Sequence, residues 1–225
     1  MFLYLLFVLP GLIIGLYAQF LLKRSYGKFS KISAGTSMTG MQAAKLINDS
    51  GNFGVSFQTT EGQLNDYFDP KNNLVNLSSD NAVNDSVANI AVVAHEFGHV
   101  QQKQVGQSLF KLRSTIVPVV SFGSGVGYVL IMIGLMIASS GLAWVGIILF
   151  STVTVFSLVT LPVELDASRR AMKLIEKHGL IAPSHYGGAK VVLRAAALTY
   201  FAGLVQSLGQ LAYFVMLVSS NNRRD

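Results

Sequence analysis

Four long apolar runs divide the chain, with polar stretches between them. Residues 1–22, MFLYLLFVLPGLIIGLYAQFLL, hold no charged side chain. A run of this length matches the roughly 20 residues that a bilayer-crossing helix needs. No Lys or Arg precedes it and no A-x-A-like site closes it, whereas Lys23, Arg24, Lys28 and Lys31 follow. This pattern reads as a transmembrane signal anchor with its N-terminus outside, not a cleaved signal peptide. Residues 116–138 and 142–161 are the next two runs, joined by Ser139-Ser140-Gly141. They predict a transmembrane hairpin over 116–161. Gly123 and Gly127 form a small-xxx-small pair suited to close helix contact. The last run covers 195–218 and carries Gln206 and Gln210 one turn apart, which predicts that they face protein and not lipid. A polar tail, 219–225, closes the chain with Arg223 and Arg224.

The polar stretches carry a different periodicity. In 23–115, Thr39-Gly40-Met41-Gln42 fits a capping box and predicts a helix to about Ser50. Three short segments follow, VSFQTT (55–60), QLNDYFD (63–69) and LVNLS (74–78), separated by Glu61-Gly62 and Asp69-Pro70-Lys71-Asn72-Asn73. These turn residues predict a small antiparallel sheet. Asn84 or Asp85 is the expected cap of a further helix that fades near Gly106. Residues 162–194 open with PVELDASRRAMKLIEKH and then Gly179. Proline at a first helical position, acids in the first turn and glycine past the end predict a separate helix over 162–178. The expected fold class is a mostly α membrane protein, about four transmembrane helices with a small α+β domain.

Composition sharpens this picture. Apolar residues make up 51% and charged residues 12% of the 225 positions, unlike a typical soluble domain. The net charge is +6. In a membrane chain that reflects basic loops near anionic headgroups. No basic stripe with interleaved aromatics appears, so nucleic acid is not the expected partner. Cysteine is absent, which confines any metal ligands to His, Asp and Glu.

Candidate chemistry sits in AHEFGHVQQ, residues 94–102. On a helix, His95 and His99 share a face and can reach one ion, with Glu96 beside them as a general base. This is the HExxH pattern of zinc hydrolases, which leaves a coordination position open for water and substrate. Between Asp85 and Lys103 lie only 17 residues, among them Asn89, His95, Glu96, His99, Gln101 and Gln102. That segment is too polar to face lipid, so its helix belongs to a domain at the membrane surface. For a third ligand the candidates are Glu164, Asp166, His178 and His185. Glu164 is favoured, because a hairpin over 116–161 returns the chain to the side it left. Asp166 points elsewhere on the same helix and reads as a first-turn dipole partner. His178 lies about 21 Å further along that helix and suits its C-terminal end. His185, in a loop, stays open.

AHEFGHVQQ, PVELDASRRA, YFDPKNNLVNLS and VLRAAALTYFAG, in this order, resemble the YugP-like family of membrane zinc metallopeptidases. The resemblance runs over nearly the whole chain. It implies a zincin-like metallopeptidase domain in a multi-pass protein of a bacterial cell membrane. It also implies zinc held by His95, His99 and Glu164, with Glu96 catalytic. The order of HExxH, two spans and a ligand glutamate is also similar to the HtpX-type membrane proteases. Those carry an aspartate four residues after the ligand glutamate; here Ser168 stands there, the candidate to orient a zinc histidine.

The resulting expectation is a zinc endopeptidase with its active site on the cytoplasmic face, acting on a peptide or membrane-protein substrate. LVNLS reads equally as an edge strand for an extended substrate and as an ordinary strand of the small sheet. Tyr200 and Arg194 are candidates for steadying an oxyanion, though flanking the last span as interfacial anchors suits them better. A scaffold protein with a structural zinc is the alternative; it has no need of Glu96 and ordinarily takes four protein ligands. A transporter or channel is disfavoured, because 116–161 and 195–218 carry no charged residue.

Overall fold

In the computed structural model, which describes residues 2–221, helices dominate and one small sheet interrupts them. Arg223 and Arg224 of the tail lie outside the described residues. The helices are α1 (Phe2–Phe29), α2 (Gly40–Gly51), α3 (Ser79–Val83), α4 (Val87–Gln104), α5 (Ser108–Met136), α6 (Ser140–His178) and α7 (Tyr186–Asn221). The strands are β1 (Ser56–Thr60), β2 (Tyr67–Asp69) and β3 (Leu74–Ser78). Among the described residues, α1, α5, α6 and α7 are long and apolar enough to cross a membrane.

The chain divides into two compact units. The first comprises 1–18, 112–162 and 198–225. Here large apolar side chains point outward, among them Leu9, Leu12, Ile13, Phe122, Ile148 and Leu158. This is the surface expected where lipid and not water is the solvent. Helix contacts inside the unit run through glycine. A Cβ at Gly127 would lie 2.8 Å from the Gly146 carbonyl oxygen, and one at Gly123 2.9 Å from that of Leu149. The pair picked out in the sequence thus lies where α5 meets α6. Gln206 packs on Gly11 of α1, and Gln210 is half-buried. Ala138, in the left-handed region at φ 53°, turns the chain between α5 and α6.

The second unit comprises 19–111 and 163–197. Its core gathers Ile47, Val75, Leu77, Ile90, Val93, Phe97, Ile175 and Leu180, all fully buried. Burial of a side chain such as Phe97 contributes about 1.5–3 kcal/mol. The Thr39 capping box forms as expected: Gln42 N–H donates to Thr39 Oγ1 at 3.3 Å and Thr39 N–H to Gln42 Oε1 at 2.9 Å. α4 starts differently from expectation. Its cap is Ser86, whose Oγ accepts from Asn89 N–H at 3.2 Å. Asn84 instead ends α3. Asp85 is drawn to the segment before α2: its carbonyl accepts from Ala34 N–H and its carboxylate from Ser33 Oγ at 2.9 Å.

The sheet is mixed, not antiparallel. Its order is β1-β3-β2, with β1 parallel and β2 antiparallel to β3. The tight turn after β2 makes the antiparallel pair. Asp69 accepts there from Lys71 N–H at 2.8 Å and from the Asn72 side chain, which holds its carboxyl below the ordinary range. The segment after β1 crosses the end of β3, where Asp66 accepts from Ser78 N–H, Ser78 Oγ and Asn81 Nδ2. That crossing sends β1 to the far side of β3. LVNLS is therefore the central strand with both edges paired, and it cannot receive a substrate backbone.

No helix begins at Pro162. α6 runs continuously from Ser140 to His178 with Pro162 inside it. Proline removes the bond that its own N–H would donate to Leu158 and crowds that carbonyl, a disturbance that helices in apolar surroundings tolerate. The helix ends where Gly179 takes φ 58°.

Candidate metal centre

α4 presents His95, Glu96 and His99 from adjoining turns, and α6 presents Glu164. His95 Nε2 lies 3.1 Å and His99 Nε2 3.6 Å from Glu164 Oε2. All three ligand atoms lie within 4.8 Å of one another, on residues that are buried or nearly so. A tetrahedral zinc with bonds of about 2.0–2.1 Å separates its ligand atoms by roughly 3.3 Å. The residues therefore fit zinc in donor type and in spacing. Burial argues the same way. Glu164 is 1% exposed, and a carboxylate at that depth is costly without a positive partner. A divalent cation between it and two imidazoles is such a partner.

Close approach of the helices makes this possible. Gly98, inside the motif, lies against the backbone of Ala167. With no side chain there, α6 comes near enough for Glu164 to reach between the histidines. The far face of α4 is anchored by Phe97, packed against Phe53 and Phe57. The two histidine rings stand nearly perpendicular, with centroids 4.9 Å apart. Phe110 stacks on His99 and also on Phe68 of β2, forming an aromatic wall on that side.

Each histidine has a neighbour at its other ring nitrogen. Ser168 Oγ lies 3.3 Å from His95 Nδ1, where the sequence put a candidate orienting group. Gln102 Oε1 lies 2.9 Å from His99 Nδ1. Sequence reading passed over Gln102, although its spacing of three from His99 was a usable signal. Asp166 differs from its expected role. It is not in a first turn, because α6 does not begin at Pro162. Its carboxylate accepts from Gln102 Nε2 at 3.0 Å, Gln107 Nε2 at 3.1 Å and Arg170 Nε at 2.7 Å. Glu96 is buried, at 7% exposure.

The remaining candidates sit on other segments. His178 Nε2 is 3.4 Å from Ser50 Oγ at the end of α6. His185 closes a short 3-10 turn, Pro183–His185. Arg194 is an exposed residue of α7. Tyr200, on the same helix, falls in the first unit.

Residues 4–219 match the family described as "Putative neutral zinc metallopeptidase". The chain is also 39% identical over 216 residues to "Putative membrane protease YugP" of Bacillus subtilis (strain 168), an alignment covering 96% of each chain. No solved structure matches it.

Proposed function

The chain belongs to this zinc metallopeptidase family, and on that premise we propose that it is a membrane-embedded zinc endopeptidase with its active site on the cytoplasmic face. The observation that carries the reading is the convergence of His95 Nε2, His99 Nε2 and a Glu164 oxygen within 4.8 Å, with Glu96 next to His95 in the chain. Three protein ligands leave a fourth position for water and substrate, as in catalytic sites. Zinc held there supplies a Lewis acid for the scissile carbonyl and makes water nucleophilic at neutral pH. Glu96, on the turn between the two histidines, accepts the proton of the attacking water and returns it to the leaving amine. Burial keeps competing solvent from its carboxylate.

Substrate alignment passes from LVNLS to an edge strand. β2 packs against α4 and lies at the border of the sheet. Its outer edge is where we place an extended peptide, because Phe68 of β2 reaches His99 through the ring of Phe110.

Sidedness rests on charge. With four crossings, 23–115 and 162–194 share one side, and they hold 15 of the 17 Lys and Arg. The positive-inside rule makes that side cytoplasmic. The bilayer and a peptide or membrane-protein substrate are then the partners.

The test is metal analysis of the purified full chain together with cleavage of membrane proteins. One bound zinc and chelator-sensitive cleavage are expected. A parent that carries zinc and cleaves nothing turns the reading toward a structural zinc scaffold.

A further inference from the structure

Gln102 is fully buried, and a buried amide must satisfy both its ends. Its Nε2 donates to the Val163 carbonyl at 2.8 Å and to Asp166 Oδ2 at 3.0 Å. Neither partner can donate in return: one is a carbonyl, and the other is a carboxylate oxygen that also accepts from Gln107 Nε2 and Arg170 Nε. The amide is therefore locked with its oxygen toward His99. That oxygen only accepts. At 2.9 Å, His99 Nδ1 must carry the ring proton, since the other tautomer would set two acceptors face to face. The lone pair of His99 is then on Nε2, the atom that faces Glu164.

We propose that Gln102 is a positioning residue for the metal centre, holding His99 in its metal-binding tautomer and orientation through a chain that runs from Arg170 and Asp166. The proposal rests on the zinc-site reading above. A partner of this kind typically raises metal affinity by about 10–100-fold. Ser168, a hydroxyl able to donate or accept, fixes no tautomer at His95; the amide does so at His99.

The experiment is zinc affinity by chelator competition on the detergent-purified full chain, with thermal melting alongside. Gln102→Met keeps the volume and removes the hydrogen bonds; it should weaken zinc about 10–100-fold. In the zinc-free parent, histidine 15N chemical shifts with the ring neutral should show His99 carrying its proton on Nδ1, and Gln102→Met should lose that preference, a change that packing alone does not produce. Parental zinc affinity in Gln102→Met overturns the proposal, because packing alone then explains the residue. So does a zinc-free parent whose His99 carries its proton on Nε2. A parent that binds no zinc, or a Glu164→Ala variant that binds it normally, refutes the zinc site itself and the proposal with it.

Discussion

A Cβ placed on Gly98 would lie 2.4 Å from the carbonyl oxygen of Ala167 and 3.0 Å from its carbonyl carbon. Backbone cannot yield as a flexible side chain does, so α4 and α6 must separate if anything larger than hydrogen occupies position 98. Gly98→Ala should cost about 1–3 kcal/mol through overpacking and should also weaken zinc, since Glu164 withdraws with its helix. Gly27→Ala is the contrast, because nothing lies within 4 Å of a Cβ there. Gly27 lies in the last turn of α1, so that change should stabilise by up to about 0.5–1 kcal/mol, the mid-helix value. Melting curves of the two variants should move in opposite directions.

Removal of the third ligand gives a graded series. Glu164→Ala should abolish stoichiometric zinc. Asp166→Ala should weaken it without abolishing it, since the Asp166 carboxylate reaches the centre only through Gln102. His178→Ala, whose side chain meets Ser50, should leave zinc unchanged. Elemental analysis after dialysis reads all three. Equal zinc in Glu164→Ala and the parent would remove Glu164 from the site.

Glu96→Gln should separate binding from chemistry. Full zinc occupancy is expected with a rate about 10²–10⁴-fold lower, the range for loss of a general base. Undiminished cleavage by this variant would place the base elsewhere.

Topology can be read with single cysteines, because the chain has none of its own. Asn72→Cys and Lys177→Cys, both at exposed positions, should resist an impermeant thiol reagent in intact cells and react after lysis. Ser140→Cys, at the start of α6, should react in intact cells. Labelling of Asn72→Cys from outside would reverse the proposed orientation.

Much of this was legible because its causes are local. Apolar runs of 20 or more residues announce their helices. Thr39 and Gln42 cap each other across three residues. His95 and His99 share a face by helical period, and Ser168 reaches His95 from one turn beyond Glu164. What escaped depends on partners distant in sequence. Pro162 reads as a helix start by a rule learned in water, whereas here α6 carries on through it. The misplaced start hid Asp166, which then looked like a dipole partner. β3 became central because the Asp66 anchor crosses its end, which alternation within LVNLS cannot show. Gln102 resembled an ordinary polar residue until Val163 and Asp166 were seen to fix it.

The ring of Phe110 also ties the metal centre to the sheet. It lies against His99 on one side and against Phe68 of β2 on the other. A change at the border of the sheet that turns Phe68 is therefore passed on to a ring that rests on the His99 imidazole. β2 is in this way a lever on the histidine, although the strand itself supplies no ligand.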